Sequence, residues 1–171
     1  MKIDKKKKVI VKDDMQVNYE YYLTQASGRN FHDGFLPQLT PKEMLKLGVF
    51  GGDYFFGYID EFPKSWFRGV KLSDHGKDAK YNYFKIRASQ SLKVWQEKGW
   101  IHPDDPKGWF QWYCRYYMGR RHADDERQIK RWRAFKRHWG AVEKNCNKKD
   151  YKCRPKQRQA LLHWSYDSRK I

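Results

Sequence analysis

WQEKGWIHPDDPKGWFQWYCRYYMGRRHADDERQIKRWRAFKRHW, residues 95–139, is the stretch whose reading decides the fold. Gly99 closes one helix, and Trp100 to Asp104 form a short stiff linker, because Pro103 fixes its own φ and biases His102 towards extended backbone. Asp105 is then placed to cap a second helix with Pro106 in its first turn, and Gly119 to end it. That helix carries Trp109, Phe110, Trp112, Tyr113, Tyr116 and Tyr117, with rings nearly all round, which predicts the most buried helix of the chain. Asp124, Asp125 and Glu126 open a third, where negative charge suits the positive end of the macrodipole. Along it Trp132, Phe135, Trp139 and Val142 recur at helical spacing as a core stripe. Arg127, Lys130, Arg131, Ala134 and Arg137 cover much of the other side, and no acid intervenes between Glu126 and Glu143.

Working outward, Ser89 or Ser91 caps a helix through Leu92, Val94 and Trp95. Downstream, a linker with Cys146, Lys148, Lys149 and Cys153 leads to Pro155 and a last helix over Lys156–Tyr166. Upstream, Thr40-Pro41-Lys42-Glu43 has the pattern of a capping box, and the helix runs to Leu47 and stops at Gly48. Glu61 to Phe67 suggests one helical turn docking Trp66 and Phe67, and Leu72 to Lys80 reads as an exposed loop. Near the start, Lys8–Val11 and the alternation of Val17, Tyr19, Tyr21 and Leu23 read as two short strands. The expected fold is mainly α, a compact multi-helix single domain with a small irregular or β-containing N-terminal part. Residues 1–34 are expected as a basic extension and 35–171 as one helical, aromatic-rich basic domain.

With 37 Lys+Arg against 20 Asp+Glu, the formal net charge is +17, which attracts phosphate-rich partners. An aromatic content of 18% excludes a disordered polycation. Three cysteines, Cys114, Cys146 and Cys153, do not suggest a disulfide framework, so free thiols and a reducing intracellular, cytoplasmic setting are expected. No apolar run is long enough to span a bilayer, and the basic Lys5–Lys8 run has no apolar stretch behind it, so it reads as a solvated tail and not a secretion signal.

Flat rings beside guanidinium groups suit a polyanion that also carries stackable bases. The expected function is therefore nucleic-acid binding, DNA or RNA, with phosphates taken by Arg115, Arg120, Arg121, Arg127, Lys130, Arg131, Arg133, Arg137, Arg154 and Arg158. Trp100, Trp109, Trp112, Tyr116 and Tyr117 are the candidates for stacking on bases. This requires the cations to gather in one region and not each to be neutralised by its own acid. The alternative is a small enzyme acting on a nucleotide or base, with His102, Asp104, Asp105, His122 or Asp124 as the acid–base group in an aromatic pocket. A third possibility is docking on an acidic protein partner. No cofactor or metal is expected: Cys146, Cys153 and His163 lack the tight spacing of a structural zinc site.

The segments KGWIHPDDPKGWFQWYCRYYMGRR, QIKRWRAFKRH and RPKQRQALLHW, with LTPKEMLKLGVFGG before them, resemble a widespread family of small uncharacterised proteins over roughly residues 35–171. The resemblance implies a variable N-terminal extension and carries no functional residue with it.

Overall fold

The computed structural model describes residues 7–55 and 58–171; Lys5 and Lys6 of the basic run, and Phe56 and Gly57, lie outside them. The chain opens with an antiparallel hairpin of β1 (Lys7–Lys12) and β2 (Val17–Leu23), with Val9 opposite Tyr21 and Val11 opposite Tyr19. Its turn is set by Asp13, whose carboxylate accepts from the amides of Met15 and Gln16 at 2.8 and 2.7 Å. Val11 and Tyr21 face the core, while Ile10 and Tyr22 face outward. Among the described residues five α-helices follow: α1 (Pro41–Lys46), α2 (Leu92–Glu97), α3 (Trp109–Met118), α4 (Asp125–Asn145) and α5 (Pro155–His163). Less than half of the chain is helical, and short 3-10 turns and irregular segments supply the rest.

Local signals set several ends. Thr40 caps α1 by accepting from the Glu43 amide, and Ser91 caps α2 by accepting from the Val94 amide. Trp66 and Phe67 are docked by a 3-10 turn over Lys64–Phe67.

Four expectations are corrected. Asp105 does not cap α3, which starts three residues later behind Gly108; its carboxylate is instead bound by Arg115 and Arg120 in the interior. A charge-assisted pairing there outweighs a cap bond of about 1 kcal/mol. The last helix ends at His163 and not Tyr166, because Ser165 turns left-handed at φ 65° and its carbonyl accepts from the Gln38 amide at 2.9 Å. The 72–80 loop is not simply exposed: the amides of Ser73 and Asp78 donate to the carbonyls of Gly52 and Gly51, and Ser73 is buried.

The fourth correction concerns the cysteines. Cys146 and Cys153 form a disulfide with their Cα atoms 5.8 Å apart, leaving Cys114 as the buried free thiol. The expectation of free thiols rested on an odd count, which cannot tell a single local bridge from none. The bridge ties the end of α4 to the approach to α5. Closing so short a loop is worth about 2–3 kcal/mol in the chain-entropy picture. Replacing both cysteines by serine is expected to lower the urea-unfolding free energy by that amount, and an unchanged midpoint would show the bridge to be energetically idle.

Residues 7–34, expected as an extension, contribute to the core. The amides of Thr24 and Gln25 donate to the Gly119 carbonyl, and Leu23 bridges to Arg120. Gly119, at φ 122°, lies so close that a Cβ there would sit 2.0 Å from the Gln25 carbonyl oxygen. Around α3, Phe35 meets Trp112, Tyr113, Tyr116 and Trp132 at centroid distances of 5.0–5.9 Å. Among the described residues, no helix is long and apolar enough to cross a membrane.

Candidate functional site

A cleft of about 1060 Å³ opens between α4, α5 and the segment around α2. On α4 its wall is Arg131, Ala134, Phe135 and His138, the i, i+3, i+4, i+7 face of the helix. On α5 it is Lys156, Gln157, Ala160 and His163, one face of the helix, with Trp164 just past its end. Ala134 and Ala160 are short, which leaves space between two helices whose larger side chains would otherwise fill it. Trp95, Trp100 and Ile101 close the third side, and Phe50, Tyr54, Trp109 and Phe110 lie beneath. Several rings are mutually fixed: Phe135 stacks on Trp164 with centroids 5.0 Å apart, and Trp109 lies 4.9 Å from Trp164.

The cations of this cleft are Arg87, Arg131, Arg137, Arg154 and Lys156, and among the described residues no aspartate or glutamate lines it. Arg131 is the most constrained. Its Nη1 donates to the Trp100 carbonyl at 3.0 Å and to Gln128 Oε1 at 2.9 Å, and its guanidinium lies 5.3 Å from the Trp164 ring and 6.0 Å from Trp100. Burial, reinforced by Arg127, pulls its pKa down to about 10, so it remains charged at neutral pH. Arg154 donates to Gln157 Oε1, a neutral acceptor.

Of the ten predicted phosphate contacts, Arg131, Arg137 and Arg154 line this cleft. Arg115, Arg120 and Arg158 are corrected: all three are buried. Arg115 and Arg120 pair with Asp105 and Glu61, and Arg158 donates to the carbonyls of Cys153, Ser168 and Ile171. Arg121 is engaged by the carbonyls of Tyr116, Arg120, Arg29 and Asn30, and Arg133 by that of Asp33. Arg127 pairs with Asp124 at 2.5 Å, and Lys130 is exposed away from the cleft lining. Sequence reasoning missed Arg87, which enters only through the packing of its segment at the cleft; Lys156, which opens the last helix in one basic stretch with Arg154 and Arg158, lines the cleft as well.

The stacking candidates divide similarly. Trp100 is 37% exposed at the cleft and Trp109 lies at its base. Trp112 and Tyr116 are corrected to core residues: Trp112 Nε1 donates to Asp125, and the Tyr116 hydroxyl accepts from the His32 amide. Tyr117 packs between Phe31 and Trp66, outside the cleft. Phe135, expected in the core stripe of α4, is a cleft wall, as are Trp95 and Trp164.

The acid–base candidates also lie outside the cleft lining. His102, Asp104 and His122 do come together, their potential metal-donor atoms all within 4.8 Å of one another. Their hydrogen bonds fit a histidine–aspartate hydrogen bond better than a metal centre. The amides of Asp104 and Asp124 donate to Nδ1 of His102 and His122, so each neutral ring carries its proton on Nε2, and His122 Nε2 donates to Asp104 at 2.6 Å. A metal on those Nε2 atoms would place a proton on each Nδ1, against an amide donor. Asp105 and Asp124 are taken up by arginines. Cys146, Cys153 and His163 do not assemble, since the thiols are joined and His163 bonds Gln159.

Compared with protein-family models, curated proteins and solved structures, the chain matches none of them. The functional reading therefore rests on this geometry alone.

Proposed function

We propose that the protein binds nucleic acid at this cleft, with phosphates on the rim cations and bases against the aromatic walls. One observation carries the reading: Arg87, Arg131, Arg137, Arg154 and Lys156 surround a ring-lined cleft that no carboxylate lines among the described residues. An aromatic wall by itself is ordinary core chemistry; cations left without carboxylate partners beside it favour an anionic ligand with flat faces. The acid–base alternative finds no support in the cleft, where its candidates are absent.

The test is fluorescence anisotropy with labelled DNA and RNA oligonucleotides across a salt series. Neutralising about five phosphates gives a log–log slope near −3.5 to −4.5, roughly a hundredfold loss between about 50 and 200 mM salt. Charge reversal at Arg137 and Arg154 together, both exposed at the cleft, is expected to weaken binding at least tenfold, about 1.4 kcal/mol or more, with the thermal melt retained. Binding that ignores salt, or that survives both reversals, refutes the proposal.

A further inference from the structure

The shape of the cleft bears on which form of nucleic acid it takes. Resting on the reading above, we infer that the occupant is a single strand, whose unpaired bases enter the cleft while its phosphates lie on the rim. A duplex keeps its base faces inside the stack and presents only phosphates and groove edges, so it can reach the rim cations but not the walls. The walls are where the cleft is most elaborated. Trp100 is 37% exposed, with the Lys98 ammonium 4.9 Å from its ring centroid, and Arg131, anchored on the Trp100 backbone carbonyl, stands beside it without a carboxylate in salt-bridge contact among the described residues. A stacked base and its own phosphate can therefore be met by adjacent groups. The volume of about 1060 Å³ exceeds the ~300–1,000 Å³ typical of small-molecule sites, enough for a base with its sugar and phosphate.

The lining also implies tolerance of sequence. Reading a base needs polar groups aimed at its edges; among the neutral amide, hydroxyl and imidazole groups near the rim, His138 and Gln157 already bond each other at 3.0 Å, which leaves Ser89 and Gln90. Stacking accepts any base because every base has a π-face. The substrate class is accordingly single-stranded nucleic acid with weak base preference.

Three probes separate this inference from the broader one, using the full chain: an oligothymidylate of about twelve nucleotides, its duplex with oligoadenylate, and inorganic polyphosphate of matched length. The single strand is expected to bind roughly tenfold or more tighter than either competitor and to quench tryptophan emission. Trp100→Ala removes an exposed ring and keeps the carbonyl that holds Arg131, so the fold should survive. It should cost roughly 5- to 100-fold in single-strand affinity and leave polyphosphate binding unchanged. Duplex binding as tight as single-strand binding, with Trp100→Ala silent, overturns the inference and leaves nucleic-acid binding standing. Polyphosphate binding as tightly as the single strand also overturns it, because the rim alone would then account for affinity. Failure of every probe at low salt removes both readings.

Discussion

Asp105→Asn is expected to destabilise the protein by about 3–5 kcal/mol, the cost of leaving a buried charge without its partner. Asp105 is fully buried and accepts from Nη1 of Arg115 and from Nη1 and Nη2 of Arg120, at 2.9, 2.9 and 2.6 Å. Glu61 grips Arg115 from the other side through Nε and Nη2, at 2.8 and 2.9 Å, and accepts from the Tyr21 hydroxyl. Two guanidinium groups and two carboxylates thus form a unit of zero net charge, roofed by Tyr19 and Tyr21 of the hairpin. Burial opposes the charge on Arg115, but Glu61 and Asp105 raise its pKa above the ordinary arginine value. Asparagine keeps the shape and removes one of the two negative charges, so a guanidinium is left buried and uncompensated. Urea unfolding of the variant measures the effect. A loss below about 1 kcal/mol would mean that water or relaxation relieves the site, contrary to this account.

A second large effect is acid sensitivity centred on His163. The Phe84 amide donates to Gln159 Oε1, which turns the Gln159 amino group towards His163, and the imidazole Nε2 must accept from it at 2.9 Å. A proton on that nitrogen would face another donor. The ring is buried against Phe50, with centroids 4.5 Å apart. Burial, followed by the charge of Lys77, pulls its pKa down from 6.5 to about 3. Above pH 6.5 the ring is neutral in both the folded and the unfolded chain, and it places no pH dependence on stability. As pH falls below 6.5 the unfolded chain takes up a proton that the folded chain refuses, so stability is lost until the pH nears 3. At about 1.4 kcal/mol per unit, that gap amounts to roughly 4–5 kcal/mol.

Other groups also favour unfolding in acid. Burial works against the ionised carboxyls of Asp124 and Asp167, but Arg127 and Arg169 hold them below the usual range, and that stabilisation disappears on protonation. Comparison with His163→Gln isolates the histidine. Between about pH 7 and pH 5 the wild type should lose about 2 kcal/mol more than the variant, and about 3–4 kcal/mol more by pH 4. A difference between the two proteins that stays constant over this range would contradict the assignment.

The parts of the fold that could be read from the chain are those decided by near neighbours. Thr40 and Ser91 each cap an amide three residues on, Gly119 ends α3, and alternation in β2 matches its inward and outward faces from Tyr19 to Leu23, while Val17, read as inward, is exposed. Of the candidate site, the basic, ring-bearing face of α4 was legible, including Arg131 and Arg137 at the cleft. Arg87 was not, because the chain carries no local mark of which segments will face α4 across a gap. The disulfide was equally hidden: spacing permits a bridge between Cys146 and Cys153, but only the path between α4 and α5 brings them together.

The arginines show the division most sharply. Arg115, Arg131 and Arg137 belong to the same aromatic, cationic stretch, and nothing adjacent in sequence distinguishes their fates. Arg115 becomes an interior charge because Glu61 and Gln16 reach it from far along the chain, whereas Arg131 and Arg137 meet no carboxylate at the cleft. The sequence by itself determined the capped starts of α1 and α2, the end of α3 and how strongly cationic the protein is, since capping bonds and total charge depend on residues a turn apart or on none. Which cations are buried and paired, and which remain open to an anion, was decided by tertiary packing, because the energy of a charge depends on its desolvation and on partners that only the fold brings near.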